Sequence, residues 1–293
     1  MSTEAAGTEP WATPPVPPLF AHLLDDTALL APRSTGPAIE TVAARYLAAR
    51  SGEYGGLVGR LVCPVSRLPA LVSELARSLP SPPVDLALVV DTGLGGVPKA
   101  LSTVASRASL VVPRTVETSA PPDVDAMWLE RVSEFVPEDV VAVVQPRRPH
   151  AEDATGNGAW LAAVRRVAEH GCSPKLRCGG PRASDVPSSA DVEMFLRVVV
   201  EAGRPFTLHG LSEVVSDGSG RLGVLNVLLA TVRTQAGDAA AVRTVLESTD
   251  GPALAAEVGA LSEEAAKEVR GLVARCGSDA LPIEQLARLG LLP

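Results

Sequence analysis

The segment Pro174-Lys175-Leu176-Arg177-Cys178-Gly179-Gly180 holds the side chains of this sequence best suited to chemistry. Side chains alternate along a strand, so an extended segment puts Lys175 and Arg177 on one face and Leu176 and Cys178 on the other. Two cations facing a packed helix layer would be costly to bury, which directs them to a wetter interior at the strand's end. The glycines that follow let backbone N–H groups approach an anion. The group reads as a pocket for a carboxylate or phosphate, with Lys175 as the catalytic or polarising cation and Arg177, Gly179 and Gly180 binding the substrate. The plainer alternative is an interior ion-pair network, with the glycines serving only the turn. A sharper one makes Lys175 a Schiff-base nucleophile, since desolvation beside a second cation lowers an amine's pKa and frees its lone pair.

Three further residues are candidates for moving protons. His209 closes an apolar run and is the best placed of four histidines, although a lone histidine is more often a structural hydrogen-bonding residue. Asp91 and Glu117 end two other runs and are the candidate acids or bases. For Asp91 the competing role is capping the helix after Gly95-Gly96; for Glu117 it is that of a solvated loop carboxylate. Asp91-Thr92-Gly93 matches the short aspartic-protease motif, but no second copy exists and a helical pattern follows, so that chemistry is set aside. Gln145-Pro146-Arg147-Arg148 offers an amide and two cations with no acid. His22, His150 and His170 lie apart, and no set of His or carboxylate groups has ligand spacing, so neither a metal nor another cofactor is expected. Cys63, Cys172, Cys178 and Cys276 lack both zinc-ribbon pairing and scaffold density and read as reduced thiols.

The elements that must position these groups are short apolar runs alternating with amphipathic helices. Runs at 27–31, 58–64, 84–91, 109–117, 140–145, 174–178, 205–209 and 272–276 read as strands, the last the most weakly patterned. Leu86-Ala87-Leu88-Val89-Val90 is the continuous apolar type of a strand covered on both faces. Ser66 precedes Leu68, Leu71, Val72 and Leu75 at helical spacing, and Asn157 precedes Trp160, Val164 and Val167, with Gly171 placed to end that helix. Ser188 and Asp191 form a capping-box pattern before Val192, Phe195 and Val199, closed by Gly203. Parallel strands need such crossovers, and eight of them close a (β/α)8 barrel of the TIM type, whose sites lie at the carboxyl ends of the strands. Two helical patterns around Leu225–Val232 and Val242–Leu246, with no strand between, predict a helical insertion before the last strand. A doubly wound open sheet with a helical appendage is the competing fold.

Composition fits a cytoplasmic barrel domain. The 293 residues exceed a usual single core, but barrels of about 250 residues are common. Residues 1–18, ending Pro14-Pro15-Val16-Pro17-Pro18, read as a disordered tail, which leaves 19–293 as a single barrel domain. Hydrophobic residues make up 46% and aromatics only 3%, so the core must be packed from Ala, Val and Leu. A net charge of −8 gives no basic field for nucleic acid or anionic lipid. No apolar run approaches the roughly 20 residues that span a bilayer, and Glu4 and Glu9 stand where a secretory leader would be basic.

The stretches Asp25-Asp26-Thr27-Ala28-Leu29-Leu30-Ala31-Pro32, Lys175-Leu176-Arg177-Cys178-Gly179-Gly180, Pro205-Phe206, Gly223-Val224-Leu225-Asn226 and Leu286-Ala287-Arg288-Leu289-Gly290-Leu291-Leu292 resemble a bacterial, actinobacterial-type family of barrel-like proteins. The resemblance implies a barrel and carries no assigned reaction; its most specific element is Lys-x-Arg-x-Gly-Gly. This chain departs from the family where Thr207 and a single His209 stand in place of a lysine and a histidine pair. It departs again at Cys276-Gly277-Ser278-Asp279, where the family tends toward Gly-Ser-Cys-Ser-Phe. The place of Lys175 on the sixth strand is similar to that of the reactive lysine in several aldolases. The functional expectation is a lyase or isomerase acting on a small anionic metabolite; the alternative is a non-catalytic ligand-binding or interaction protein on the same barrel.

Overall fold

The computed structural model describes residues 16–149, 156–180 and 182–292. Its eight strands are β1 (Leu24–Asp26), β2 (Val58–Pro64), β3 (Val84–Val89), β4 (Val111–Ser119), β5 (Val141–Gln145), β6 (Ser173–Arg177), β7 (Phe206–His209) and β8 (Val273–Ser278). All pair in parallel and in chain order, and β8 returns to β1 with Cys276 opposite Leu24, so the sheet is a closed barrel. This is the (β/α)8 architecture read from the alternation of runs. The first strand is the correction: 27–31 is apolar, yet Ala28–Leu30 forms a 3-10 turn and the strand lies just before it. Asp26 accepts the Ala28 N–H and pairs with Arg45, which ends the strand and turns the chain.

The helices that cover the barrel start and stop where the side chains allow. They are α1 (Ile39–Ser51), α2 (Leu68–Ser78), α3 (Val97–Ala105), α4 (Ala126–Phe135), α5 (Gly156–Glu169) and α6 (Ser189–Glu201). Ser188 and Asp191 form the expected reciprocal capping box on α6, while Gly171 and Gly203 take the positive φ that ends α5 and α6. Ser66 does not cap α2; its hydroxyl is turned to Asp91 instead. Between β7 and β8 stand four helices, α7 (Val224–Gln235), α8 (Ala239–Glu247), α9 (Gly251–Gly259) and α10 (Glu263–Leu272), and α11 (Ile283–Arg288) follows β8. The insertion is held by Asn226, buried on α7, which accepts the Ser216 N–H and donates to the Val245 and Ser248 carbonyls. No helix among the described residues is long and apolar enough to cross a membrane. The tail read over 1–18 lies outside the described residues up to position 15, as does His150.

Candidate functional site

Strand alternation sorts each strand's residues between two environments. Leu61, Cys63, Leu86, Leu88, Val116, Leu176, Cys178, Leu208 and Cys276 face outward into the apolar helix layer. Their neighbours face the barrel axis, and there the usual aliphatic layers give way to polar groups: Asp25, Arg60, Thr115, Glu117, Lys175, Thr207 and His209 are all buried. Lys175 and Arg177 thus share the inward face.

Two ion pairs organise this interior. Near the amino ends of the strands Asp25 accepts from Nε and Nη2 of Arg60 at 3.0 and 2.8 Å, and from its backbone N–H at 2.7 Å. Higher up, Lys175 Nζ donates to Glu117 Oε2 at 2.8 Å. Glu117 is therefore a buried partner inside β4 and not the solvated loop carboxylate that its place at a run's end had suggested. Burial pushes its carboxyl up, but the Lys175 ammonium, helped by Arg60, outweighs that and holds it at about 2. His209 Nε2 stands 3.7 Å from the same Glu117 oxygen, beyond hydrogen-bond reach, and neither ring nitrogen has a partner among the described residues. Burial, reinforced by the Lys175 charge, pulls the imidazole down to about 3, so it is neutral at physiological pH. Gly277 makes room for it, since a Cβ there would lie 2.6 Å from His209 Cδ2.

Above this pair, at the carboxyl ends of the strands, opens a cavity of about 370 Å³. Lys175 and His209 line it together with Asp91, Arg177, Ser66, Ser119 and Gln145, and two further arginines, Arg33 and Arg67, stand on its wall. Arg67 is only 7% exposed, and its one side-chain hydrogen bond among the described residues runs from Nη2 to the Ala31 carbonyl at 2.9 Å. No carboxylate of the described residues pairs with it. Arg33 donates to the Ser66 carbonyl and hydroxyl, both at 3.0 Å. Four cations thus stand around one cavity; among the described residues Asp91 is the only acid in its lining, with Glu117 beneath Lys175 and Asp185 beside Arg177, which leaves Arg67 and Arg33 without a carboxylate of their own.

Of the candidates read from the sequence, Lys175, His209, Asp91 and Arg177 meet at this cavity, and Glu117 lies directly beneath Lys175. Asp91 sits two residues past the end of β3 and accepts from Ser66 N–H at 3.0 Å and Ser66 Oγ at 2.5 Å, so it ties the β2 and β3 loops and does not cap the helix after Gly95-Gly96. Arg177 is half exposed at the rim, donating from Nε to the Gly179 carbonyl at 3.1 Å, with Asp185 at 3.8 Å. Gly179 and Gly180 do not line the cavity. A Cβ on Gly179 would lie 2.6 Å from the Gly210 carbonyl oxygen, and one on Gly210, at φ +92°, 2.5 Å from Gly179 N. The two loops touch backbone to backbone, which accounts for Gly179 without a ligand. Gly210→Ala is accordingly expected to destabilise the fold by about 1–3 kcal/mol, read as a shifted denaturant midpoint.

Arg33, Arg67 and Ser119 were not singled out in the sequence. The signal for Arg67 was its place three residues after a strand's carboxyl end, where barrel sites lie, but arginine is the common cation of this chain. A larger cavity, about 860 Å³, opens at the opposite mouth. There Arg60 and Arg275 share Asp25, Arg114 pairs with Asp85, and Arg204 donates to the Ala168 carbonyl. Among the described residues no group of three or more His, Cys, Asp or Glu side chains is placed to hold a metal ion.

No family model and no curated protein matches the chain. Among solved structures it is similar to a glycine-to-alanine mutant of the active chimera of (S)-mandelate dehydrogenase. That likeness has 14% sequence identity, covers 92% of this chain and 76% of that one, and has a TM-score of 0.39.

Proposed function

We propose that this barrel is a lyase or isomerase acting on a small anionic metabolite, bound in the cavity at the carboxyl ends of the strands. The observation that carries the reading is Arg67: a guanidinium buried beside a cavity, with no carboxylate partner among the described residues, is costly unless an anion completes it. Lys175 spends one of its three donors on Glu117 and can turn the others to a substrate oxygen, stabilising negative charge that develops there. A neutral His209 beside it offers one donor and one acceptor nitrogen for a hydroxyl or enol proton. The arrangement disfavours the Schiff-base alternative, because the near neighbour of Lys175 is a carboxylate and not a second cation, and an ammonium paired at 2.8 Å has no lone pair to offer.

A second reading has its own support. A histidine held down to about 3 is a weak base at neutral pH, and Glu117 is committed to Lys175, which suits a barrel that binds the anion without turning it over. Titration calorimetry with inorganic phosphate, pyruvate and 3-phosphoglycerate tests the shared core of both. Saturable binding is expected, weakened at least tenfold by Arg177→Gln with little change in melting temperature, because Arg177 is at the rim. Failure of all three anions to bind, or indifference to both Arg177→Gln and Arg67→Gln, would remove the reading. Elimination or isomerisation of a bound anion that is lost in His209→Asn selects the enzyme over the binding protein. Borohydride treatment with pyruvate is expected to leave no mass adduct on Lys175.

A further inference from the structure

The cations of the cavity are not one cluster. Arg67 follows β2, and Arg33, after β1, is fastened to the same wall through Ser66; Lys175 and Arg177 are both on β6. In a ring of eight strands taken in order, β2 and β6 are four places apart in either direction and so face each other across the mouth. Of the strands between them, β4 and β5 bring the uncharged Ser119 and Gln145 to the lining on one side and β7 brings His209 on the other. Asp91, the one acid of the lining among the described residues, is turned to Ser66 within the arginine wall. Each wall keeps unspent donors: Arg67 has no carboxylate partner among the described residues, and Lys175 gives one bond to Glu117.

We propose that the ligand carries an anionic group at each end, a short dicarboxylate or phosphocarboxylate, spanning the mouth from Arg67 to the Lys175 and Arg177 wall with its polar middle on Ser119, Gln145 and His209. This rests on the anion-site reading above and goes further by fixing the number of the charges and the opposite walls that they face. A cavity of about 370 Å³ is far larger than a single phosphate or carboxylate needs and is the size of a small metabolite. Two separated charges also explain why the walls are built independently, each locked by its own hydrogen bonds, where one shared anion would call for convergence.

The test compares succinate with butyrate, equal in carbon count and differing by one carboxylate, by calorimetry on the full chain. Succinate is expected to bind at least tenfold more tightly. Arg67→Gln is expected to bring the two within about twofold by weakening succinate alone, while Arg67→Lys, which keeps the charge, retains most of the preference; melting curves show whether each variant is folded. Equal affinities in the unmodified protein, with saturable binding of both, would overturn the two-ended ligand and leave the anion site standing. A preference that survives Arg67→Gln in a folded protein would overturn the role of the arginine wall. If succinate, butyrate and inorganic phosphate all fail to bind, the anion site itself is lost.

Discussion

Glu117→Gln is expected to destabilise the protein by about 3–5 kcal/mol, because it leaves the Lys175 ammonium buried in the barrel without its counter-charge. For a chain of this size that corresponds to a melting temperature lower by roughly 5–8 °C. The cost belongs to the orphaned charge more than to the lost hydrogen bond, so it has a distinctive rescue. Glu117→Gln combined with Lys175→Met replaces the pair with neutral groups of similar bulk and is expected to recover most of the loss, although the double variant can no longer polarise a substrate. A double variant as unstable as Glu117→Gln alone would show that Glu117 supports the fold through contacts other than Lys175. A mutant cycle completed with Lys175→Met measures the coupling directly.

The same interior makes the protein labile to acid from an unusually high pH. Folded His209 takes up its proton only near pH 3, whereas an unfolded histidine does so below about 6.5. Between those values the unfolded chain binds more protons, so stability falls as pH falls. Glu117 acts with the same sign over a lower window: its stabilisation is complete above the ordinary carboxylate value of 4.5 and is lost as pH falls from there toward about 2. From pH 6.5 to pH 5 the His209 contribution alone is about 2 kcal/mol. His209→Asn is expected to flatten that part of the curve and delay the decline until carboxylates protonate. Urea unfolding at pH 7, 6 and 5 checks it, and a stability constant over that range in the unmodified chain would contradict a buried neutral imidazole.

How far the sequence could be read depended on whether a residue's partner was local. The strands β2 and β3 were legible because both their faces are covered and an apolar run needs no partner to be noticed. β1 was not, because Asp25 and Asp26 break the apolar pattern. Each acid is satisfied from afar, Asp25 by Arg60 inside the barrel and Asp26 by Arg45 outside it. The inward face of β6 followed from alternation alone, which put Lys175 and Arg177 together correctly. What alternation could not supply was the other side of the barrel. Glu117 lies 58 residues from Lys175 in the chain, and its meeting with that lysine is a product of closure. Arg67 was invisible for the same reason: it becomes exceptional only through burial without an acid, a property of the assembled mouth and not of its neighbours in sequence.

The insertion between β7 and β8 bears on how the ring is assembled as the chain folds. Seven strands follow one another at short intervals, but β8 arrives only after residues 210–272 and their four helices. Until it docks, β7 and the three-residue β1 both present unpaired backbone edges. The entropy of closing so long an excursion grows only slowly with its length. The delay is therefore chiefly kinetic, set by the order in which contacts become available. A seven-stranded arrangement with an open seam is the form in which this protein would be exposed to edge-to-edge association.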